Sequence, residues 1–170
     1  MKILKKMFYD TWGWGLTNLK LHSEGVDYGA CSFELNGHSV EYRVSKVTPT
    51  KTGQFVAIWK RNTDAKTEPF DVLDHIDFLV ITSKSGDNIG LFIFPKSVLV
   101  DKGIFSQKGK GGKRGIRMYP PWDITNNKQA KKTQQWQVKY FVTLRNNTPK
   151  ELELLKELFT KPGKKNRLNQ

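Results

Sequence analysis

The stretch Ala30-Cys31-Ser32-Phe33-Glu34-Leu35-Asn36-Gly37-His38-Ser39-Val40-Glu41-Tyr42-Arg43-Val44 reads as two β-strands folded back on each other. Asn36-Gly37 is a pair that tolerates positive φ at both central positions of a tight hairpin turn, and β-branched and aromatic residues flank it. The predicted strands cover residues 30–35 and 40–47. Further along, 54–61 alternates around Phe55, Ala57 and Trp59 and predicts a third strand, followed by a polar loop over 62–69. Residues 76–82 and 89–94 are apolar runs joined by Lys84-Ser85-Gly86-Asp87, a second hairpin. Its segment 78–81 is nearly continuously apolar, so that strand is expected to be buried on both faces.

Helical signals surround this β-rich centre. Residues 1–10 place Ile3, Leu4, Met7 and Phe8 on one side of a short helix, which Trp12-Gly13-Trp14-Gly15 breaks. Pro95 ends the fifth strand, and 96–102 reads as a brief helical turn. A loop over 106–115 holds four glycines and four bases, and 116–118 is a short strand stopped by Pro120-Pro121. Residues 126–135 predict a polar, lysine-rich helix and 138–144 a last strand. Thr148 as N-cap, Pro149 at the first position and Glu151 in a capping box open the final helix. Its buried stripe is Leu152, Leu155, Leu158 and Phe159, and Lys161-Pro162-Gly163 stops it. With no internal repeat, the expectation is a single α+β domain over 1–160, a mixed, mainly antiparallel central sheet flanked by helices. A basic tail occupies 161–170.

Charge is distributed unevenly along this frame. Residues 1–101 carry 12 Lys/Arg and 12 Asp/Glu, so the net charge of +13 lies wholly in 102–170. There 17 bases face four acids, Asp123, Glu151, Glu153 and Glu157. One-sided charge of this kind raises the local concentration of polyanions, which makes nucleic acid the first expected partner; lysines that only keep a protein soluble are the bland alternative. The apolar content of 37% argues for a folded chain. Lone Cys31 has no internal disulfide partner and suits a reducing compartment, and no signal peptide or membrane span is legible. A cytoplasmic protein is expected.

Most small-molecule chemistry finds no support. His22, His38 and His75 are scattered without metal-ligand spacing and read as ordinary surface or hairpin side chains. Cys31 reads as a small core residue. The loop Gly109-Lys110-Gly111-Gly112-Lys113-Arg114-Gly115 lacks the Ser or Thr of a phosphate-binding Walker A loop. No cofactor and no resident metal are expected.

The basic and aromatic elements carry the positive expectation. Lys108, Lys110, Lys113, Arg114 and Arg117 alternate with glycines whose backbone amides can approach phosphate oxygens. Tyr119 and Trp122 follow, suited to stacking on bases or to anchoring a core; core packing is the commoner use of Trp. Lys128, Lys131 and Lys132, at helical spacing, are expected to share one face whose mutual repulsion a polyanion would relieve. Lys60 and Arg61 are a further candidate pair.

The segment running from Glu41-Tyr42-Arg43-Val44 through Thr48-Pro49-Thr50-Lys51-Thr52-Gly53-Gln54-Phe55 to Trp59-Lys60-Arg61 resembles the signature of the MepB family. So do Tyr28-Gly29-Ala30-Cys31, Gly90-Leu91-Phe92-Ile93-Phe94-Pro95-Lys96, Arg117-Met118-Tyr119-Pro120-Pro121-Trp122 and Gln129-Ala130-Lys131-Lys132-Thr133-Gln134-Gln135-Trp136-Gln137. The resemblance implies a cytoplasmic, DNA-binding protein whose fold is similar to type II restriction endonucleases. Such nucleases place an acid on one strand and an acid-x-lysine triplet on the next to hold Mg²⁺. Here Asp77 and Lys96 match that spacing, but Phe94 stands where the triplet's acid would be. Glu41, or Glu34 on the paired strand, is the candidate substitute. The expectation is a non-catalytic DNA-binding protein. An active Mg²⁺- or Mn²⁺-dependent nuclease using Asp77, Lys96 and Glu41, and a module for an acidic protein partner, are the alternatives. RNA is the alternative polymer.

Overall fold

The structure is a computed structural model that describes residues 1–160; the predicted tail at 161–170 lies outside the described residues. The chain runs α1 (Lys2–Trp12), β1 (Leu16–Leu21), β2 (Cys31–Leu35), β3 (His38–Val44), β4 (Lys46–Val47), β5 (Gln54–Ala57), β6 (Trp59–Arg61), β7 (Thr67–Pro69), β8 (Phe78–Ser85), β9 (Asn88–Pro95), α2 (Lys96–Asp101), β10 (Gly115–Met118), α3 (Lys128–Gln137), β11 (Phe141–Thr143) and α4 (Pro149–Thr160). The main sheet has the order β1-β2-β3-β8-β9-β11. The β3–β8 pairing is parallel and every other pairing in it is antiparallel. The segment between β3 and β8 builds much of a second sheet, β10-β5-β4, and the separate pair β6-β7.

Both predicted hairpins form. Asn36 and Gly37 have φ of 48° and 78°, the double positive turn that asparagine and the Cβ-free glycine tolerate. As expected, β8 is buried on both faces. Its residues Phe78 and Val80 join one core with Leu91, Ile93, Leu155 and Phe159, roofed by α1 and α4. On the opposite face Leu79, Ile81, Phe92 and Phe94 pack on Val56, Ile116 and Met118 of the second sheet, on Ile58 just past β5 and on Leu99 of α2. Gly90 lies so close to the Phe141 ring that a Cβ there would stand 2.1 Å from Cζ, so only glycine lets β11 pair with β9. Trp12 and Trp14 stack at a centroid distance of 5.0 Å on the rim of the first core.

Five sequence expectations change. The predicted third strand breaks at Ile58, whose N–H donates to Arg114 O (2.9 Å), so that its halves enter different sheets. The strand predicted over 40–47 breaks at Ser45. Its buried hydroxyl bonds Gln54 Oε1 (2.7 Å) and Ser83 Oγ (2.6 Å), turning the chain from one sheet to the other. β1 is an additional strand. It is an exposed edge bearing an irregularity between Thr17 and Lys20, so it lacks apolar alternation. Residues 138–140 form a 3₁₀ turn before β11. His38, expected as an ordinary surface or hairpin residue, is buried; its Nε2–H donates to Phe159 O (3.0 Å), beside Asn36 Nδ2 at 2.9 Å. The hairpin turn thereby supplies donors to the C-terminal end of α4.

The capping box forms, with Thr148 N–H donating to Glu151 Oε2 (2.7 Å) and Glu151 N–H to Thr148 Oγ1 (3.2 Å). Glu151 also accepts from Thr143 N–H (3.0 Å) and the Thr143 hydroxyl, tying α4 to β11. Burial pushes the Glu151 carboxyl up, but the Thr143 and Thr148 donors outweigh it and hold it below the usual range. A carboxylate with a lowered folded pKa stabilises fully above its unfolded value, and that stabilisation is lost as pH falls through the folded value. Glu151→Ala is therefore expected to cost about 1–2 kcal/mol near neutrality. Urea midpoints of the two proteins should converge as the pH falls below about 4, near the unperturbed glutamate pKa.

Candidate nucleic-acid interface

The endonuclease-type positions lie together at one end of the main sheet. β8 and β9 pair Phe78 with Pro95 and Leu79 with Phe94, which sets Asp77 beside Lys96 as the sequence spacing implied. Lys96 N–H donates to Asp77 O (2.9 Å). Their side chains, however, are used for structure. Asp77 Oδ2 accepts from Ser39 N–H (2.9 Å) and lies 3.3 Å from the Ser39 hydroxyl, holding the start of β3. The Lys96 ammonium donates to the carbonyls of Val72 (3.0 Å) and Asp74 (2.5 Å). Burial pushes its pKa down, partly opposed by Asp77, Asp74 and Asp71.

Phe94 is fully buried, its ring 5.3 Å from that of Trp136 and 5.7 Å from that of Phe92. Glu41 does not replace the missing acid. It pairs across β3 with Leu79, which separates it from Phe94, and its Oε2 accepts from Arg43 Nη1 (3.0 Å) and lies 3.3 Å from His22 Nε2. Glu34 accepts from Asn18 Nδ2 (2.8 Å). Among the described residues no three His, Cys, Asp or Glu side chains are grouped to hold a metal. The donor set does not fit a divalent cation, because one partner is a phenyl ring and the carboxylates already have partners.

The predicted cations separate into three groups. Lys60 bonds Asp74 (2.7 Å) and lies 3.5 Å from Glu68, while Arg61 pairs with Glu24, its Nη2 3.3 Å from Oε2. Each of these charges is matched, which sets Lys60 and Arg61 apart from the others. Lys108 and Gly109, both at positive φ, form a tight turn closed by Gln107 and Lys110. The Gly109 amide, expected to be open to phosphate, donates instead to Asp71 Oδ2 (2.9 Å), which also accepts from the Ser106 hydroxyl (2.6 Å). Burial pushes the Asp71 carboxyl up, but donors from Gly109, Ser106 and Leu73 outweigh it and keep it below the usual range. The loop is thus a pinned turn carrying Lys108 and Lys110 on its exposed surface.

The third group converges. Lys113 and Arg117 project from the same side of the β10 segment into a cleft of about 380 Å³, facing Gln129 and Thr133 of α3. Lys102 lines it too, its ammonium 5.5 Å from the Trp136 ring centroid. Among the described residues no carboxylate lines this cleft. Arg117 Nη1 donates to Thr48 Oγ1 (2.9 Å) and Thr52 O (3.1 Å), which fixes its guanidinium. Asn127 caps α3 by accepting from Ala130 N–H (2.8 Å), and Ala130 and Gln137 face inward. Gln137 ties α3 to β10 through Tyr119 N–H (2.8 Å) and Arg117 O (3.0 Å).

Lys128, Lys131 and Lys132 are all exposed and span about 100° of the α3 surface, so they share one face. Of the three, Lys132 lies nearest the cleft wall, about 60° around the helix from Gln129, with Lys128 at about 100° and Lys131 at about 160°. Arg114 lies on the other side of its strand, its Nε donating to Thr67 O (3.2 Å). Tyr119 lines the cleft, whereas Trp122 packs 5.6 Å from Phe141 as a core side chain. Lys102 was not singled out from the sequence, since nothing local distinguishes a lysine that packing alone brings to Lys113.

The MepB-like family model matches residues 22–143, a span that contains the hairpin, the endonuclease-type positions, the cleft and α3. The chain belongs to the MepB-like family. A crystal structure of MepB superposes with a TM-score of 0.77 at 33% sequence identity, covering 86% of this chain and 97% of that one. The structure of a bacterial homing endonuclease, I-Ssp6803I, superposes with a TM-score of 0.51 at 14% identity, covering 95% of this chain and 92% of that one. The fold of this MepB-like chain is thus endonuclease-like. No curated protein matches it. None of its described helices is long and apolar enough to cross a membrane.

Proposed function

We propose that this MepB-like protein binds DNA, without cutting it, through the cleft between β10 and α3. The observation that carries this reading is the cleft that Lys102, Lys113 and Arg117 line, with no carboxylate in its wall among the described residues and with Lys128 and Lys132 exposed on the same α3 helix. Lys102 Nζ lies 4.0 Å from Asp101 Oδ2, but Lys113, Arg117, Lys128 and Lys132 have no carboxylate partner among the described residues, and such cations attract a phosphate backbone and release its counterions. Gln129, Asn127 and Tyr119 add neutral groups able to reach sugars or base edges. An acidic protein partner would need the same cations; the match of the fold to a homing endonuclease favours nucleic acid. Phe94 and the structural use of Asp77, Lys96 and Glu41 support the absence of cleavage.

Fluorescence anisotropy with labelled duplex DNA, single-stranded DNA and RNA at two salt concentrations tests the reading. Saturable duplex binding that weakens at higher salt is expected; failure to bind any of the three polymers refutes it. Incubation with plasmid and Mg²⁺ or Mn²⁺ is expected to leave the plasmid intact. Cleavage that disappears in Asp77→Ala would establish the nuclease instead.

A further inference from the structure

A second cavity, of about 300 Å³, opens between β3 and the β6-β7 pair, away from the β10–α3 cleft. Its wall includes His22, Glu41, Arg43, Trp59, Arg61 and Phe70. Arg43 is the unusual member, because its side chain is 4% exposed yet only part of its guanidinium is used. Nη1 donates to Glu41 Oε2 (3.0 Å) and to Tyr42 O (2.8 Å). Nε and Nη2 have no partner among the described residues, and neither belongs to the sealed, unbonded atoms of the structure. The two bonds at Nη1 fix the plane of the group and leave its Nε–Nη2 edge without a partner among the described residues, in the wall of the cavity.

That edge is a pair of parallel donors, matched by a ligand with two adjacent acceptor atoms. Charge narrows the class. Arg43 is paired with Glu41, Arg61 with Glu24, and Lys60 with Asp74 and Glu68, so the wall carries no surplus positive charge for a dianion. Trp59 and Phe70 contribute flat apolar surface. We propose that this cavity binds a small flat molecule of at most one negative charge, which presents two adjacent acceptors to the Nε–Nη2 edge of Arg43. An aromatic carboxylate and the O6/N7 edge of a guanine base both meet that description. The site is separate from the DNA reading and stands without it.

The test follows the arginine Nε–H resonances of the ¹⁵N-labelled protein, with that of Arg43 assigned by its loss in Arg43→Lys. Benzoate, guanosine and inorganic phosphate are titrated separately at constant ionic strength. A saturable shift of the Arg43 signal with benzoate or guanosine is expected, and the responding probe identifies the ligand source. Trp59→Ala leaves the Arg43–Glu41 pair untouched and is expected to weaken that response by roughly fivefold, the scale of one lost aromatic contact. No saturable shift with either probe, or saturation by phosphate alone, overturns the proposal. A saturable response of equal strength in Trp59→Ala overturns the placement of the ligand against that wall.

Discussion

Replacing Lys113, Lys128 and Lys132 together by glutamate is expected to lower affinity for duplex DNA by at least roughly a hundredfold at ~0.15 M salt. Each phosphate contact contributes roughly fivefold there through counterion release, so three lost contacts multiply to about that figure before repulsion is added. All three side chains are exposed, and none has a carboxylate partner in the described structure. The variant should therefore keep its urea midpoint while the anisotropy titration moves. Arg117 is a poorer choice, since its bonds to Thr48 and Thr52 would be lost along with its charge. Reversal of Lys60 and Arg61, whose charges are already matched, should change affinity far less. An unchanged duplex affinity in the triple variant would remove α3 and β10 from the interface.

The second large effect concerns the acid that is absent. Phe94→Asp would restore the acid-x-lysine pattern, yet it is expected to unfold the protein and not to yield a nuclease. The Phe94 ring is 0% exposed and packs on Phe92, Trp136 and Tyr140, joining β9 to α3 and the turn that follows it. Losing a buried phenyl ring costs about 3–5 kcal/mol, and a buried unpaired carboxyl adds further cost. Against a typical total stability of about 5–15 kcal/mol, little or no folded population would remain at neutral pH. The urea transition should disappear or move far toward zero denaturant. A stably folded Phe94→Asp protein that cleaves plasmid with Mg²⁺ would show that the scaffold is one side chain short of a catalyst.

Local chemistry made the β-hairpins, the buried β8 and the capped α4 legible, because each depends on neighbours in sequence. Asn36-Gly37 and the Thr148–Glu151 box need no tertiary information. The strand break at Ile58 could not be read this way, since it depends on a backbone bond to Arg114, far along the chain. β1 escaped because an exposed edge strand has no buried face to impose alternation.

The site was legible in composition and only partly in place. Charge counting located the basic half of the chain, but pairing decided which cations remain unmatched. Lys60 and Arg61 meet acids distant in sequence, and Asp71 occupies the Gly109 amide. Lys102 and the Nε–Nη2 edge of Arg43 emerge only from packing. The absent acid at Phe94 was visible in the sequence, whereas the partners that engage Glu41, Asp77 and Lys96 come together only in the fold.

The placement of DNA is tested most directly by following backbone amide resonances while a short duplex is added. Saturable shifts are expected to cluster at Lys102, 113–119 and 127–135, with the amides of His22, Glu41 and Arg43 unmoved. Shifts confined instead to Ser39, Asp77 and Lys96, or an absence of saturable shifts anywhere, would contradict that placement.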